Sequence, residues 1–306
     1  MVYFLLRRLG RLLLTVFVVA TLVFVIVRVI PGDPALVIAG VDATSSDVAA
    51  ITTRLGTDRP LVEQYTGWMS GILHFDLGKS YASGEQVSRL ILQRFPITLE
   101  LALSGFIISL LISLPLGVLS AVRRWKAADY TVMVYTQLGL AIPSFWLGIL
   151  LLLAFSVHIH LFPLFGTGQF ISLVLPSLAL GIERSALLIR IVRGSMIEEL
   201  QKDYIVTARA KGLRSRSIIY RHALPNALFP VITVAGIQFG YLLGGAIIIE
   251  QVFSLPGLGR LFLSAISARD FPVIQGGVIF VAIVFSLASF FADVLYSAVN
   301  PRVRVG

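Results

Sequence analysis

The sequence predicts an all-α polytopic membrane protein: six transmembrane helices, with a small folded cap between the first and the second. Three observations carry that expectation. Hydrophobic residues fill 57% of the 306 positions and charged ones only 13%, against ~25% charge in an ordinary soluble domain. Six stretches stay apolar for the ~20 residues needed to cross ~30 Å of hydrocarbon. Lys and Arg concentrate in alternate loops. There is no cysteine, so disulfides and thiolate chemistry play no part and the redox compartment stays open.

The first stretch, 9–30, has Arg7 and Arg8 ahead of it and Arg11 at its start. It has the look of a signal peptide, but its apolar run exceeds the usual 7–15 residues of such a segment. Residues 1–30 therefore read as a basic flank and a retained first helix. Residues 31–95 are too many for a simple connector and read as an extracytoplasmic cap. Within it Asp58, Pro60 and Glu63 suit the start of a helix through Trp68 to Leu73. Tyr65, Trp68, Met69 and Ile72 make an apolar stripe at helical spacing, best explained by packing on the membrane region. The remaining spans, 97–122, 131–157, 172–194, 228–250 and 273–297, form a core over 96–306 with a long polar loop at 195–227.

Charge sets the orientation. Sixteen cations, from Arg7 through Arg123, Arg193, Lys202, Arg209 and Arg221 to Arg304, lie on the side of the two termini; eight lie on the other, mixed with acids such as Asp33, Asp42, Asp47, Asp58, Glu63, Asp76 and Glu85. The positive-inside rule puts both termini and the loop 195–227 in the cytoplasm. The basic run Arg209, Lys211, Arg214, Arg216, Arg221 and His222 is then first a topology signal, and nucleic acid is not an expected partner.

Catalytic constellations are poor fits. Gly78-Lys79-Ser80 matches the end of a P-loop, but the pattern demands glycine five residues before the Gly-Lys pair, and position 73 is Leu. His158 and His160 sit at i, i+2, which separates them on a helix, and no Cys or carboxylate is near. No histidine falls mid-span, and Asp293, the only aspartate in a predicted span, lies near its cytoplasmic end. The chain reads as non-catalytic, with no metal site.

Three features of the membrane region stand out. Glu183 and Arg184 lie near the centre of the fourth span, where a charge costs about 2.5–3.5 kcal/mol on insertion scales. As neighbours pointing about 100° apart they are not expected to pair well. They are candidate pathway residues, the alternative being a structural ion pair with Asp293 or Gln238. In the fifth span Gly236, Gly240 and Gly244 recur every four residues, a ridge for close helix packing or a subunit interface, with Gln238 beside it as a further pathway candidate.

In the loop, Glu198, Glu199 and Asp203 suit the start of a helix, Arg209 and Lys211 its end, and Gly212 the left-handed residue that stops it. Ser215 can cap a second short helix ending before Pro225. Tyr204, Ile205 and Ala208 make an apolar knob ringed by charge, suited to a groove on another protein or to a lipid surface.

The spacing from Gly212 to Leu224-Pro225 resembles the EAA loop of ABC importer permeases, with Val206, Thr207 and Ala208 at its first three places, so that Val206 and Thr207 replace the acid and the first alanine, Ala208 keeps the second, and His222 replaces the isoleucine. Asp203-Tyr204 with Thr207-Ala208-Arg209-Ala210-Lys211-Gly212 is similar to the branch that imports dipeptides, oligopeptides, glutathione and nickel. The likeness extends to the N-terminal Arg7-Arg8-Leu9, Pro31-Gly-Asp-Pro34, Asp76-Leu-Gly78, Pro96 to Leu101, Pro143-Ser-Phe-Trp146, Leu175-Pro176, Leu255 to Arg260, Arg269 to Ile274 and Asn300-Pro-Arg302. It implies a type I importer permease fold in a cell inner membrane and a heterodimer with a second permease. It also implies two cytoplasmic ATPases that bind the ATP and Mg while this chain binds no cofactor, and an extracytoplasmic solute-binding protein. Residues 203, 204, 207–212, 224 and 225 would dock the ATPase. Peptide or nickel cargo stays open, and a stand-alone channel or carrier is the alternative of another class.

Overall fold

The computed structural model describes residues 2–29, 32–40, 42–166 and 170–299, with side chains except at 2–8, 292, 293 and 295–299. Thirteen α-helices account for most of these residues, and the chain divides into two compact units, Met1–Thr98 with Pro256–Ser286 and Leu99–Leu255 with Leu287–Gly306.

The first unit begins with α1 (Val2–Val29), α2 (Pro34–Ala39), α3 (Ser45–Leu55) and α4 (Leu61–Leu73). Asp33 caps α2 by accepting from the Ala35 N–H at 2.8 Å, and a capping box between Thr44 and Asp47 starts α3. Helix α4 carries the expected stripe, and it packs on α1. The Phe24 ring lies 5.1 Å from Tyr65, edge-on, and 5.6 Å from Trp68, while Thr21 and Tyr65 share a hydroxyl hydrogen bond of 2.9 Å. Pro60 takes the cap position of α4 and no side chain bonds there, so Asp58 does not open the helix.

The Gly78-Lys79-Ser80 stretch is a turn on the same unit. Gly78 donates to Asp76 Oδ1 at 2.9 Å, and Lys79 pairs with Gln86 in an isolated antiparallel bridge. Ser80 Oγ and the N–H groups of Tyr81 (3.0 Å) and Ala82 (3.2 Å) all donate to the buried carboxylate of Asp270. Asp270 lies between α12 (Leu258–Ser267) and α13 (Phe271–Val299), so one acid ties this turn to the C-terminal helices. Next comes α5 (Val87–Val122), which begins ten residues ahead of the expected 97. Its first turns are amphipathic and bury Val87 and Ile91 against Leu258, Ala265 and Val273.

The second unit corrects the third expected span. Instead of one helix over 131–157, α6 (Ala127–Ala141) and α7 (Ser144–Leu152, continued by a π-helical segment Leu153–His158) meet at a 99° bend. Proline is the cause: Pro143 has no N–H, and Ile142 ahead of it is forced to extended backbone (φ −93°, ψ 117°). Among the described residues, five helices are thus long and apolar enough to span a membrane, and a sixth only if the bent pair counts as one.

Helix α8 (Phe170–Glu199) is the most buried of the candidate spans and packs against α6, α7 and α11 (Leu224–Val252). Two glycines set the close approaches to it: a Cβ on Gly181 would fall 2.5 Å from Ile108, and one on Gly117 would fall 2.6 Å from Val192.

Candidate coupling loop and membrane charges

The loop after α8 is built from the helix ends outward. Glu198 and Glu199 finish α8 rather than leading the next helix, and α9 (Asp203–Ala210) keeps only Asp203 in its first turn. It stops as expected at Gly212, whose φ is +75°. The Gly212 N–H donates to Arg209 O at 2.9 Å and the Leu213 N–H to Ala208 O at 3.3 Å, the paired bonds of a Schellman motif.

The second short helix takes a different form. Arg214, not Ser215, occupies the cap position, and α10 (Ser215–Ser217) runs through a π-helical segment, Ile218–Ala223, into α11 without a break. Pro225 therefore does not end a helix; it sits in the first turn of α11, where a missing N–H is tolerated. Within the π segment the ladder shifts to i→i−5, with Leu224 N–H donating to Ile219 O. Residues 215–252 form one helical rod.

The face of α9 is also reversed from the expectation. Ile205 is fully buried and Ala208 only 8% exposed, packed with Val118, Ala121, Val192, Met196, Ile218 and Ala223. They belong to the chain's own core, not to an apolar knob. An eight-residue helix with few apolar positions uses them to bury itself. Tyr204 faces outward and is tied down at its tip: its hydroxyl donates to Glu199 Oε1 at 2.6 Å, accepts from Asn226 Nδ2 at 3.1 Å and lies 3.2 Å from His222 O. Glu199 is buried and also takes the Lys202 ammonium. Burial, then the Glu199 carboxylate, push the Tyr204 phenol above its ordinary pKa. The outer surface comprises Asp203, Thr207, Arg209, Ala210, Lys211 and Gly212 with two exposed apolar side chains, Val206 at 57% and Leu213 at 41%. Leu224 is half-buried and Pro225 exposed.

Next to the loop lies an ion pair that the sequence reading missed. Asp129, at the start of α6, is fully buried; its Oδ1 accepts from Arg193 Nε (2.8 Å) and from Ser120 Oγ, its Oδ2 from Arg193 Nη2 (2.9 Å) and the Trp125 N–H (3.0 Å). Arg193 had counted as a topology signal. The available clue was Asp129 itself, the one acid between Glu100 and Glu183.

Among the pathway candidates, Glu183 and Arg184 touch but pair poorly, as their directions on the helix predict. Arg184 Nε lies 3.2 Å from Glu183 Oε2, because both side chains are long enough to curl toward each other despite the 100° between their Cβ directions. The pairing is poorly aligned, and neither atom finds a hydrogen-bond partner in the chain. Ser144, the first residue of α7 after the bend, is a polar neighbour of the Glu183 carboxyl group. The Arg184 guanidinium passes Gly245 of α11, 3.7 Å from where a Cβ would stand. Gln238 is buried in α11. Gly240 is buried, Gly236 half-buried on the wall of an apolar groove with Phe106, Phe239 and Phe291, and Gly244 opens onto empty space. Within this chain the three glycines thus do not form one packed ridge.

The side chain of Asp293, those of Arg7 and Arg8, and all of Pro31 and Asn300-Pro-Arg302 lie outside the described residues. His158 Nδ1 is 2.8 Å from Leu153 O, and no cluster of three metal-ligating side chains occurs among the described residues.

Residues 113–305 match the family described as binding-protein-dependent transport system inner membrane component, and residues 1–102 its N-terminal membrane component. The glutathione transport system permease protein GsiC of Salmonella typhi is 40% identical over 304 residues, covering 99% of both chains. The dipeptide transport system permease protein DppB of Escherichia coli (strain K12) is 39% identical over 336 aligned positions, again covering 99% of each. The MetNI methionine ABC transporter, solved in inward-facing conformations, contains a chain that aligns with 69% of this one and 96% of its own length, with a TM-score of 0.61 at 22% identity; this likeness speaks to the fold alone.

Proposed function

Because the chain belongs to the family of binding-protein-dependent transport system inner membrane components, we propose that it is one permease of a heterodimeric importer and forms half of a translocation pathway for di- or oligopeptides or glutathione-like peptides. The cargo follows the peptide, dipeptide and glutathione names of relatives that match end to end; nickel or a metal chelate is the secondary cargo. In this reading both termini and residues 200–223 face the cytoplasm, the orientation that the distribution of Lys and Arg supports. A solute-binding protein delivers cargo to the opposite face. Two separate ATPase chains bind ATP and Mg, and this chain does no covalent chemistry.

The observation that carries the reading is the anchoring of α9. Tyr204 links it to Glu199 at the end of α8 and to Asn226 at the start of α11, and Ile205 and Ala208 embed it between the same helices. An ATPase that grips the exposed face, with Arg209 and Lys211 beside Val206 and Leu213, would therefore move α8 and α11 together. Those helices carry Glu183, Arg184 and Gln238. ATP-driven closure pushes on the loop, the rod 215–252 transmits the displacement, and the pathway turns from inward- to outward-facing. Arg184 and Glu183, poorly satisfied by each other, are suited to the charged ends of a peptide passing along α8.

The test is co-purification and transport. Expressed with the neighbouring genes of its operon, the chain should co-elute with a P-loop ATPase, and Arg209→Glu with Lys211→Glu should release that ATPase while the chain stays membrane-inserted. An ATPase that remains bound to this double variant sinks the proposed docking face.

A further inference from the structure

The first unit contains a cavity of about 310 Å3 that the importer reading does not use. Its lining includes Arg28, Arg54, Arg59, Trp68, Tyr81 and Gln275, with Glu63 as its single carboxylate. Arg28 is already committed: Nε and Nη2 donate to Gln64 Oε1 at 3.1 and 2.9 Å, and its guanidinium carbon stands 3.4 Å from the centre of the Phe24 ring. Arg54 and Arg59 are exposed and flank Gly56, whose φ of +67° ends α3 and folds Arg59 back on the turn.

Two further donors are unspent. Gln275 is 3% exposed and its Nε2 has no acceptor, and the buried Trp68 Nε1 has none either. A buried donor without a partner costs about 1–3 kcal/mol, so two in residues of one wall call for an acceptor from outside the chain. The wall offers N–H and O–H donors and an excess of positive charge, which fits a ligand that only accepts and is anionic. Arginine forks match the two coplanar oxygens of a carboxylate. Leu55, Leu77 and Pro272 supply apolar wall, and the volume is at the small end for a ligand site.

We propose that this cavity binds the carboxylate of a small organic anion of one or two amino-acid residues, with Arg54 and Arg59 countering its charge and Gln275 and Trp68 donating to its oxygens. It rests on the importer reading only for the side of the membrane to which it opens, the side that receives cargo.

The test uses the full chain in phosphatidylcholine nanodiscs, with Trp125→Phe and Trp146→Phe leaving Trp68 as the sole tryptophan. N-acetylalanine should change Trp68 fluorescence saturably, and N-acetylalaninamide, which lacks the carboxylate, should not. Gln275→Met should weaken binding about tenfold, the effect of losing one hydrogen bond to a charged group. Arg54→Gln with Arg59→Gln, both on the surface, should weaken it at least as much without affecting folding. Equal responses to acid and amide, no saturable response, or unchanged affinity in these variants would overturn the proposal. A response only to inorganic phosphate or to phosphatidylglycerol discs would overturn it too, giving the cavity to a phosphate. Peptide uptake is scored separately: carboxylate binding without ATP-driven uptake leaves this site standing and removes the importer reading.

Discussion

Asp129→Asn should be among the most destabilising single substitutions in the second unit. Four donors converge on the two carboxylate oxygens of this fully buried residue, two on each oxygen. Asparagine has one acceptor oxygen, so whichever way its amide is turned the NH2 group confronts two donors. Two hydrogen bonds to a charged acceptor, at about 1.5–3 kcal/mol each, are then lost. The sum of about 3–6 kcal/mol agrees with the about 3–5 kcal/mol expected when one partner of a buried pair is removed. The Arg193 side chain is 21% exposed, so water recovers part of the loss and the expected cost is about 3 kcal/mol. Equilibrium unfolding in mixed micelles, followed by far-ultraviolet circular dichroism, measures it. The double variant Asp129→Leu, Arg193→Met removes both charges but leaves Ser120 Oγ and the Trp125 N–H without their acceptor, so it should regain part of the loss and lie within about 2 kcal/mol of the parent. A single variant within 0.5 kcal/mol, or a double variant worse than the single, would refute the convergence argument.

Substitutions at three other positions address the loop. Gly212→Asp meets no atom within 4 Å of its new Cβ, so its cost is the left-handed backbone alone, about 1–2 kcal/mol. The chain should insert normally while uptake uncouples from ATP hydrolysis, with Gly212→Asn milder; normal uptake by stably expressed Gly212→Asp would end the docking role. Ala208→Phe overfills a buried site at about 1–3 kcal/mol, so limited proteolysis should cut the 200–214 loop faster, and an unchanged cleavage rate would contradict inward packing. Tyr204→Phe removes the bond to Glu199 and, being at a partly exposed site, should cost only about 1 kcal/mol. Because the folded state holds this phenol above its ordinary pKa of about 10, its contribution is complete below pH 10 and fades as pH rises through the higher folded value. Hydrogen exchange of α9 should show that alkaline loosening in the parent and not in Tyr204→Phe.

Legibility in the sequence followed the range of the interaction. Long apolar runs located α1, α5, α8, α11 and α13 because crossing hydrocarbon is a local demand on some twenty consecutive residues. Gly212 was legible for a similar reason: a positive φ after a run of helix formers leaves glycine as the preferred residue. Pro143 lies in a legible motif, yet hydropathy hides its bend, since it averages over a break of two residues. The side of α9 that faces inward depends on Val118, Val192 and Ile218, which lie far away in sequence. Counting charges by loop gave Arg193 a topological meaning and hid its partner Asp129, 64 residues earlier. Asp270, which gathers Ser80, Tyr81 and Ala82 across 188 to 190 residues, lay in plain view inside a motif, with nothing local to name its role.

The most direct measurement of the central claim is uptake of a radiolabelled dipeptide into proteoliposomes that contain this chain, its companion permease, both ATPases and the solute-binding protein. Accumulation should require ATP, Mg and the binding protein together, and should cease when the ATPases carry a P-loop lysine substitution. Dipeptide entry through this chain alone, at the same rate with or without ATP, would contradict the account and make the protein a channel or carrier.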